Sequence, residues 1–560
     1  NWSPKLGDDH TFKALAGWNI EKQKYETLTI KREGFVTASK PSFGLMNGTT
    51  TDPTVGGYIW SYVGAFFRLN YGYKGKYLAE VSGRYDGSSK FPTNSKWGFF
   101  PSASVAWRVS EEPWMKWSEE WLDNFKIRLS AGSMGNGNVS PYSYTSEMTV
   151  STADDIVLGG SYPSYTSVGS TVPVSLTWEK STTYDVGLDL DFFNNRLSVS
   201  GDYYRRYTTD MYTPSISLPS VYGTTSPKGN NAELRTTGWE LSLTWRDSFK
   251  LGGKPFDYSI KAMVWDNRTV VTKYENATRS LGTLKGYIQN GGSPSDFYEG
   301  MELGEMWGYT VAGLFRDQAD IDSSATHDFT QASDKVTRPG QVKIADLDGN
   351  GFIDPGNFAV DDHGDLRIIG NQSPRYRYGV NLSARWNGIG LSVFLQGVGA
   401  RDWYPGSDAG MFWGKYGRPF FALIPSIHNY TDDMYSAERN NWDTAYWPRM
   451  TTYQSNGTKN WTRLLEIPNT RYIQSAAYLR VKNIQLDYSF PKHICSAIRL
   501  QGLKIYVNAE NLFTFTPLHK YAPNFDPEAL GYDTDFSSTA GDGYTYPVLK
   551  SVTLGVNITF

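Results

Sequence analysis

The chain is poor in several residue types and patterns, and each shortage closes a class of function. One cysteine, Cys495, rules out a disulfide framework and any multi-cysteine metal centre. No apolar run reaches the roughly 18 residues of a transmembrane helix. There is no basic surplus, because 54 Lys and Arg face 57 Asp and Glu for a net charge of −3. Such a chain has nothing with which to neutralise nucleic-acid phosphates. The six histidines (His10, His327, His363, His428, His493, His519) are scattered, with no His-Glu-x-x-His pair. Gly132-Ser-Met-Gly135 is not a nucleophile elbow, since no helix follows it. Cys495, near His493 in a short turn, reads as an inert thiol, and the expectation is that the protein is not an enzyme. The chain starts Asn1-Trp-Ser-Pro-Lys, with no initiator methionine or signal peptide, so a preceding segment is expected.

What the chain does have is aromatic residues, 15% of the total with 38 tyrosines, and 55 glycines. They are arranged with period two. Val552, Leu554, Val556, Ile558 and Phe560 alternate with Ser551, Thr553, Gly555, Asn557 and Thr559. Tyr184, Val186, Leu188, Leu190 and Phe192 alternate with Asp185, Gly187, Asp189 and Asp191, and the same holds over Trp239–Arg246 and Tyr376–Trp386. Successive strand side chains point to opposite faces, so each segment has one apolar and one polar face. A soluble sandwich alternates too. Large aromatics among the aliphatics over about nine to eleven residues favour membrane strands.

Parity supports that choice. Counting back from Phe560, strands are expected near 545–560, 499–515, 475–490, 389–400, 374–386, 256–268, 237–247, 196–211, 177–192, 122–134, 98–110, 76–86, 58–72 and 10–33. Every connection at one end is then short: Pro491–Ile498, Asn387–Gly388, Ser248–Pro255, Phe193–Asn195, Glu111–Trp121 and Tyr73–Gly75. The connections at the other end are long, notably 135–176, 269–373 and 401–474. Short periplasmic turns with long extracellular loops characterise outer-membrane barrels. The expected fold is therefore all-β, a transmembrane antiparallel β-barrel of about 14 strands. Asn194-Asn195 and Asn387-Gly388 are hairpin signals, because these residues tolerate positive φ. The strand-like 304–315 would break the parity and is placed within the long outer excursion.

Three features are candidates for function. Asp346-x-Asp348-x-Asn350-Gly351-x-x-Asp354, with the Phe352 carbonyl, has the oxygen spacing of the first half of an EF-hand loop and would take Ca²⁺. Its twelfth position is Asn357 instead of Glu, and an Asx-rich turn is the alternative. Asp361 and Asp362 follow downstream. The 401–474 segment is rich in aromatics, with Trp403, Tyr404, Phe412, Trp413, Tyr416, Trp442 and Trp447 as candidates for contact with a partner or substrate, and self-packing as the third reading. Asp185, Asp189, Asp191, Glu240, Arg246, Arg377 and Arg385 would face the inside, as a charged path or as paired charges. Terminal Phe560 is the candidate barrel-assembly signal.

Motifs along the whole length carry a family resemblance. They include Arg84-Tyr-Asp-Gly-Ser-Ser-Lys-Phe91, Trp97-Gly-Phe-Phe-Pro-Ser-Ala-Ser104, Trp107-Arg-Val-Ser-Glu-Glu112, Phe125-Lys-Ile-Arg-Leu-Ser-Ala-Gly132 and Leu176-Thr-Trp-Glu-Lys180. Further on stand Gln341-Val-Lys-Ile-Ala-Asp-Leu-Asp-Gly-Asn-Gly351, Pro374-Arg-Tyr-Arg-Tyr-Gly379, Tyr478-Leu-Arg-Val-Lys-Asn483 and Asn508-Ala-Glu-Asn-Leu-Phe-Thr514. In this order they resemble SusC-like TonB-dependent outer-membrane transporters of the Bacteroidota. The resemblance implies a barrel of about 22 strands filled by an N-terminal plug. It also implies a SusD-like surface lipoprotein as lid, the TonB complex as energy source, and oligosaccharides or peptides as cargo. By that measure the chain supplies the C-terminal barrel portion, and the plug and first strands belong to an N-terminal segment outside it. The competing readings are an accessory barrel not coupled to TonB, a self-closed passive channel and a secreted glycan-binding β-protein.

Overall fold

In the computed structural model, the described residues are all those of 1–560 except 5–6, 35–36, 38, 40–41, 52, 147, 154, 169–171, 173–175, 215–227, 277, 282–296, 328–336, 406–411, 413–432, 450–467 and 531–547. Fourteen strands form one antiparallel ladder in chain order. They are β1 His10–Thr29, β2 Thr54–Tyr73, β3 Tyr77–Ser88, β4 Trp97–Arg108, β5 Leu122–Asn136, β6 Glu179–Phe192 and β7 Leu197–Pro214. The series continues with β8 Lys228–Leu251, β9 Lys254–Lys273, β10 Arg375–Trp386, β11 Ile389–Ala400, β12 Tyr478–Ser489, β13 Gly502–Phe515 and β14 Ser551–Thr559. All fourteen expected strands are present. β1 and β14 stand at the two ends of the order, each with one ladder neighbour among the described residues.

The short connections are set by backbone chemistry. Asn387 and Gly388 both take positive φ, as a two-residue turn whose twist matches its strands demands. The β8–β9 turn is Gly252-Gly253, also at positive φ, so the expected connection Ser248–Pro255 is corrected to a tighter one with longer strands. Phe193, Asn194 and Asn195 all have positive φ. Two short connections carry helical turns, Pro113–Ser118 and Lys492–Ala497, and the second buries Cys495. Among the described residues no helix is long and apolar enough to cross a membrane.

The chain groups into two units. The first is Asn1–Arg108, Arg128–Asp185 and Arg206–Leu234. Its core is Phe91, Phe100, Val139, Leu176 and Trp178, and the Trp178 indole donates to the Lys96 carbonyl at 3.1 Å. The second is Val109–Ile127, Val186–Arg205 and Arg235–Phe560. Its long excursions hold most of its buried apolar residues, including Tyr309, Leu314, Leu366, Trp447 and Tyr472. The 304–315 segment forms two short strands there, Glu305–Tyr309 against Leu366–Asn371 and Val311–Leu314 against Val342–Ile344. The ladder strands differ, since the apolar row of β14 from Val552 to Ile558 is exposed throughout.

Candidate functional site

The polar face of the ladder sorts the expected charges into two sets. Asp189 accepts from the Ser200 hydroxyl at 2.9 Å and lies 3.8 Å from the Lys126 ammonium, while Asp191 accepts from Asn124 at 3.1 Å. These carboxylates are used within the sheet. Arg246 and Arg385 instead line a hollow of about 800 Å³ with Arg196, Asp257, Asp487 and Lys504. Arg196 pairs with Asp247 at 3.4 Å and Lys504 with Asp487 at 3.1 Å. Arg246 and Arg385 have no ion pair among the described residues, and neither has Asp257, which stands opposite Arg385 in the ladder. Arg377 does not join the hollow, and neither do Asp185 and Glu240.

The Asp-rich loop is built from its own turns. Asp346 accepts from the Gly349 amide at 2.6 Å and the Gly351 amide at 3.0 Å, and Asp348 accepts from the Asn350 amide at 3.0 Å. The Asn350 side-chain NH₂ donates to Asp348 and Asp354 at 3.2 and 2.9 Å, and its oxygen accepts from the Phe352 amide at 2.7 Å. Asp354 also accepts from the Gly356 amide, and the Phe352 side chain is exposed. Asp361 pairs with Arg279 and Asp362 with Asn357, so neither joins the cluster. The carboxylate that does join is Asp365, fully buried and beyond the motif. One oxygen each from Asp346, Asp348 and Asp365 lie within 4.8 Å of one another. Burial pushes the Asp365 carboxyl above its usual range, and the charges of Asp348 and Asp346 add to the rise, against hydrogen bonds from the Leu347 and Asp354 amides. A Ca²⁺ shell of radius about 2.3–2.6 Å spans about 4.6–5.2 Å, which fits this spread.

The aromatic excursion packs on itself. Trp403, Tyr404, Phe412 and Trp447 are all buried. Trp403 lies 4.9 Å from Phe525, Phe412 lies 5.0 Å from Trp447, and Trp447 stacks on Tyr472 at 5.8 Å. The Tyr404 hydroxyl accepts from Asn469 at 2.7 Å. For these four residues self-packing is the geometry observed. Trp442 is half-buried, while Trp413 and Tyr416 lie outside the described residues.

Two arginines not singled out in the sequence hold the excursions in place, Arg401 by bridging two of them and Arg480 by tying one to β12. Arg401 donates to the Pro527 and Leu530 carbonyls at 3.1 and 3.0 Å. Buried Arg480 holds Asp526 at 2.5 Å and Glu528 at 3.0 Å, with Lys482 also on Glu528. Single charged residues in alternating strands give no sequence signal for such partners. The positive-φ Gly340 serves the same layer, since the Tyr435 ring covers it and would collide with any Cβ.

Residues 1–343 match the family described as TonB dependent receptor-like, beta-barrel. TonB-dependent receptor P3 of Formosa agariphila is 28% identical over 98% of this chain and 51% of its own length. SusC of Bacteroides thetaiotaomicron is 26% identical over 89% of this chain and 44% of its own length. The chain spans about half the length of the curated relatives it matches. Among solved structures, the RagAB peptide importer in its closed-closed state superposes with a TM-score of 0.71 at 20% identity, covering 100% of this chain and 54% of that one. With its ladder, its short and long connections and its ordered motifs, this outer-membrane chain belongs to the TonB-dependent receptor β-barrel family, of the SusC-like kind.

Proposed function

We propose that the chain forms part of an energy-coupled importer that moves oligosaccharides or peptides across the outer membrane. The observation that carries this reading is the one-sided elaboration of the ladder. Tight turns close one end, while the long excursions at the other are packed together through Arg401 and the Trp403–Phe525 contact and tied to β12 through Arg480. A passive pore needs no such layer. A folded layer suits a surface lipoprotein of the SusD type seated as a lid. Plug, TonB-binding segment and further strands come from an N-terminal segment. The two end strands support this, because each unpaired backbone group in hydrocarbon costs several kcal/mol. The guanidiniums of Arg246 and Arg385 suit carboxylates, which makes peptides the first cargo to test. In a strain lacking this protein, uptake of labelled oligopeptides and oligosaccharides is expected to fall. The wild-type gene should restore it only when TonB is present. Uptake independent of TonB would favour an accessory barrel or a passive channel.

We further propose that Asp346, Asp348 and Asp365 hold Ca²⁺, with Asp354 and the Phe352 carbonyl near enough in sequence to complete an oxygen shell. The ion would supply the charge that lets three carboxylates share one place and would pin the excursion. Tb³⁺ luminescence displaced by Ca²⁺ should disappear in Asp365→Asn. An unchanged signal in that variant would refute the site.

A further inference from the structure

Exposed tryptophan gathers in the connection 109–121 between β4 and β5. Pro113 opens a 3₁₀ turn over Pro113–Ser118, in which residues three apart share a side. Met115 and Ser118 take one side and are buried, whereas Trp114 and Trp117 take another and are 58% and 69% exposed. The Ser118 hydroxyl donates to the Met115 carbonyl at 2.7 Å and tightens the turn. On the buried side Met115 clusters with Val109 and Leu122, against Phe125, Ile127, Leu190 and Phe192.

The strand row that this cluster covers decides which way the turn faces. Leu190 and Phe192 continue the β6 row of Val186 and Leu188, both exposed apolar residues. Asp189 and Asp191, on the opposite face of β6, are the ones bonded to Ser200 and Asn124. The turn therefore lies on the apolar, lipid-facing side of the strands, and its far side looks outward. Aromatic rings continue the surface: Trp121 is 5.9 Å from Trp117 and stacks on Phe192 at 6.0 Å, and Phe192 lies 6.1 Å from exposed Phe193. All of this sits at the short-turn end of the ladder. Glu111, Glu112, Glu119 and Glu120 outnumber Lys116, so attraction to anionic headgroups is not the force.

We propose that this turn is an interfacial anchor, with Trp114 and Trp117 inserted into the headgroup boundary of the periplasmic leaflet. The occupant is phospholipid, because the surface continues a face that already contacts lipid and because indole combines an apolar body with an N–H suited to the interface. The anchor fixes the depth of the β4–β5 end of the ladder.

The test uses the full-length transporter in bilayer nanodiscs. Cys495→Ser, with any cysteine outside residues 1–560 also replaced, leaves a single thiol in Trp117→Cys, which is labelled with an environment-sensitive fluorophore, and Glu119→Cys serves as the water-facing site. Label at 117 is expected to emit further to the blue than label at 119. Lipids brominated near the headgroup end of the chain should quench it more than lipids brominated near the methyl end, with no change on adding anionic lipid. Equal iodide quenching at both sites without bromolipid quenching would overturn the proposal. Quenching or blue shift found only in discs holding two copies would also overturn it, by making a second chain the occupant. Trp114→Cys repeats the depth reading on the same side with Trp117 intact, and heat-modifiability on gels confirms folding of each variant.

Discussion

On β14, Val552, Leu554, Val556 and Ile558 are 45–72% exposed, whereas Met306, Tyr309, Leu314, Trp447 and Tyr472 in the outer excursions are 2% exposed or less. The same residue types meet opposite surroundings in one chain. The strands leave apolar rows for lipid and pair their polar groups within the sheet. The excursions behave like a water-soluble protein, burying aromatics and spending arginines such as Arg401 and Arg279 on carbonyls and carboxylates. Lipid dissolves apolar surface as readily as a protein interior does, so only the excursions need a hydrophobic core. The two regions should therefore respond differently to the same kind of substitution.

The largest expected effect is in the excursion core. Trp447→Ala removes a ring packed on Phe412 and Tyr472, at a local cost of about 3–5 kcal/mol. The excursion should become sensitive to protease on intact cells while the heat-modifiable ladder persists. Simultaneous loss of both would mean that the two regions fold as one. Next comes the ladder. Leu554→Arg puts a charge on a lipid-facing row, at about 2–4 kcal/mol near the bilayer midplane, whereas Leu554→Ala should be mild. Outer-membrane levels, read by fractionation, should fall only for the arginine variant, and equal levels would show that the row does not face lipid. Phe560→Asp, nearer the interface, should cost about 1 kcal/mol in the membrane. If Phe560 is also read during barrel assembly, levels should drop further than that figure implies.

The strands were legible in the sequence because period-two alternation is imposed by having two different solvents on two faces, and it reports each strand directly. It failed where the pattern is interrupted. Gly229, Asn230 and Asn231 hid the outer part of β8, which runs Lys228–Leu251 instead of 237–247, and the Gly252-Gly253 turn lay inside the longer expected connection. The site was less legible. Asp346 and Asp348 came from a local spacing rule, but Asp365 joins them only through the fold of the excursion. Composition marked 401–474 as aromatic and could not separate rings that face water from rings that pack, as Trp403 and Trp447 do. Trp114 and Trp117 escaped notice in the sequence, because their meaning depends on Met115 finding Leu190 and Phe192 across the chain.

The smallest expected effect, and the one that separates the two regions most finely, is a pH dependence confined to the excursions. His327 is buried, with Nδ1 on the Ala325 carbonyl and Nε2 facing the Ile344 amide, each at 2.9 Å. The amide donates to Nε2, so Nδ1 carries the proton and the ring is neutral. Burial pushes the His327 pKa below its ordinary value, and the nearby Lys343 charge acts the same way, against the Ala325 hydrogen bond. The unfolded chain therefore takes up a proton that the folded one resists. Stability should be full above roughly pH 6.5, the ordinary histidine value, and should fall as pH drops through it toward the folded pKa. Protease resistance of the excursion, measured from about pH 7.5 to about 5, should decline in the wild type while the ladder stays heat-modifiable. His327→Gln should be less resistant at the upper end and flatter across the range. A decline of the same size in that variant would assign the pH dependence to other groups.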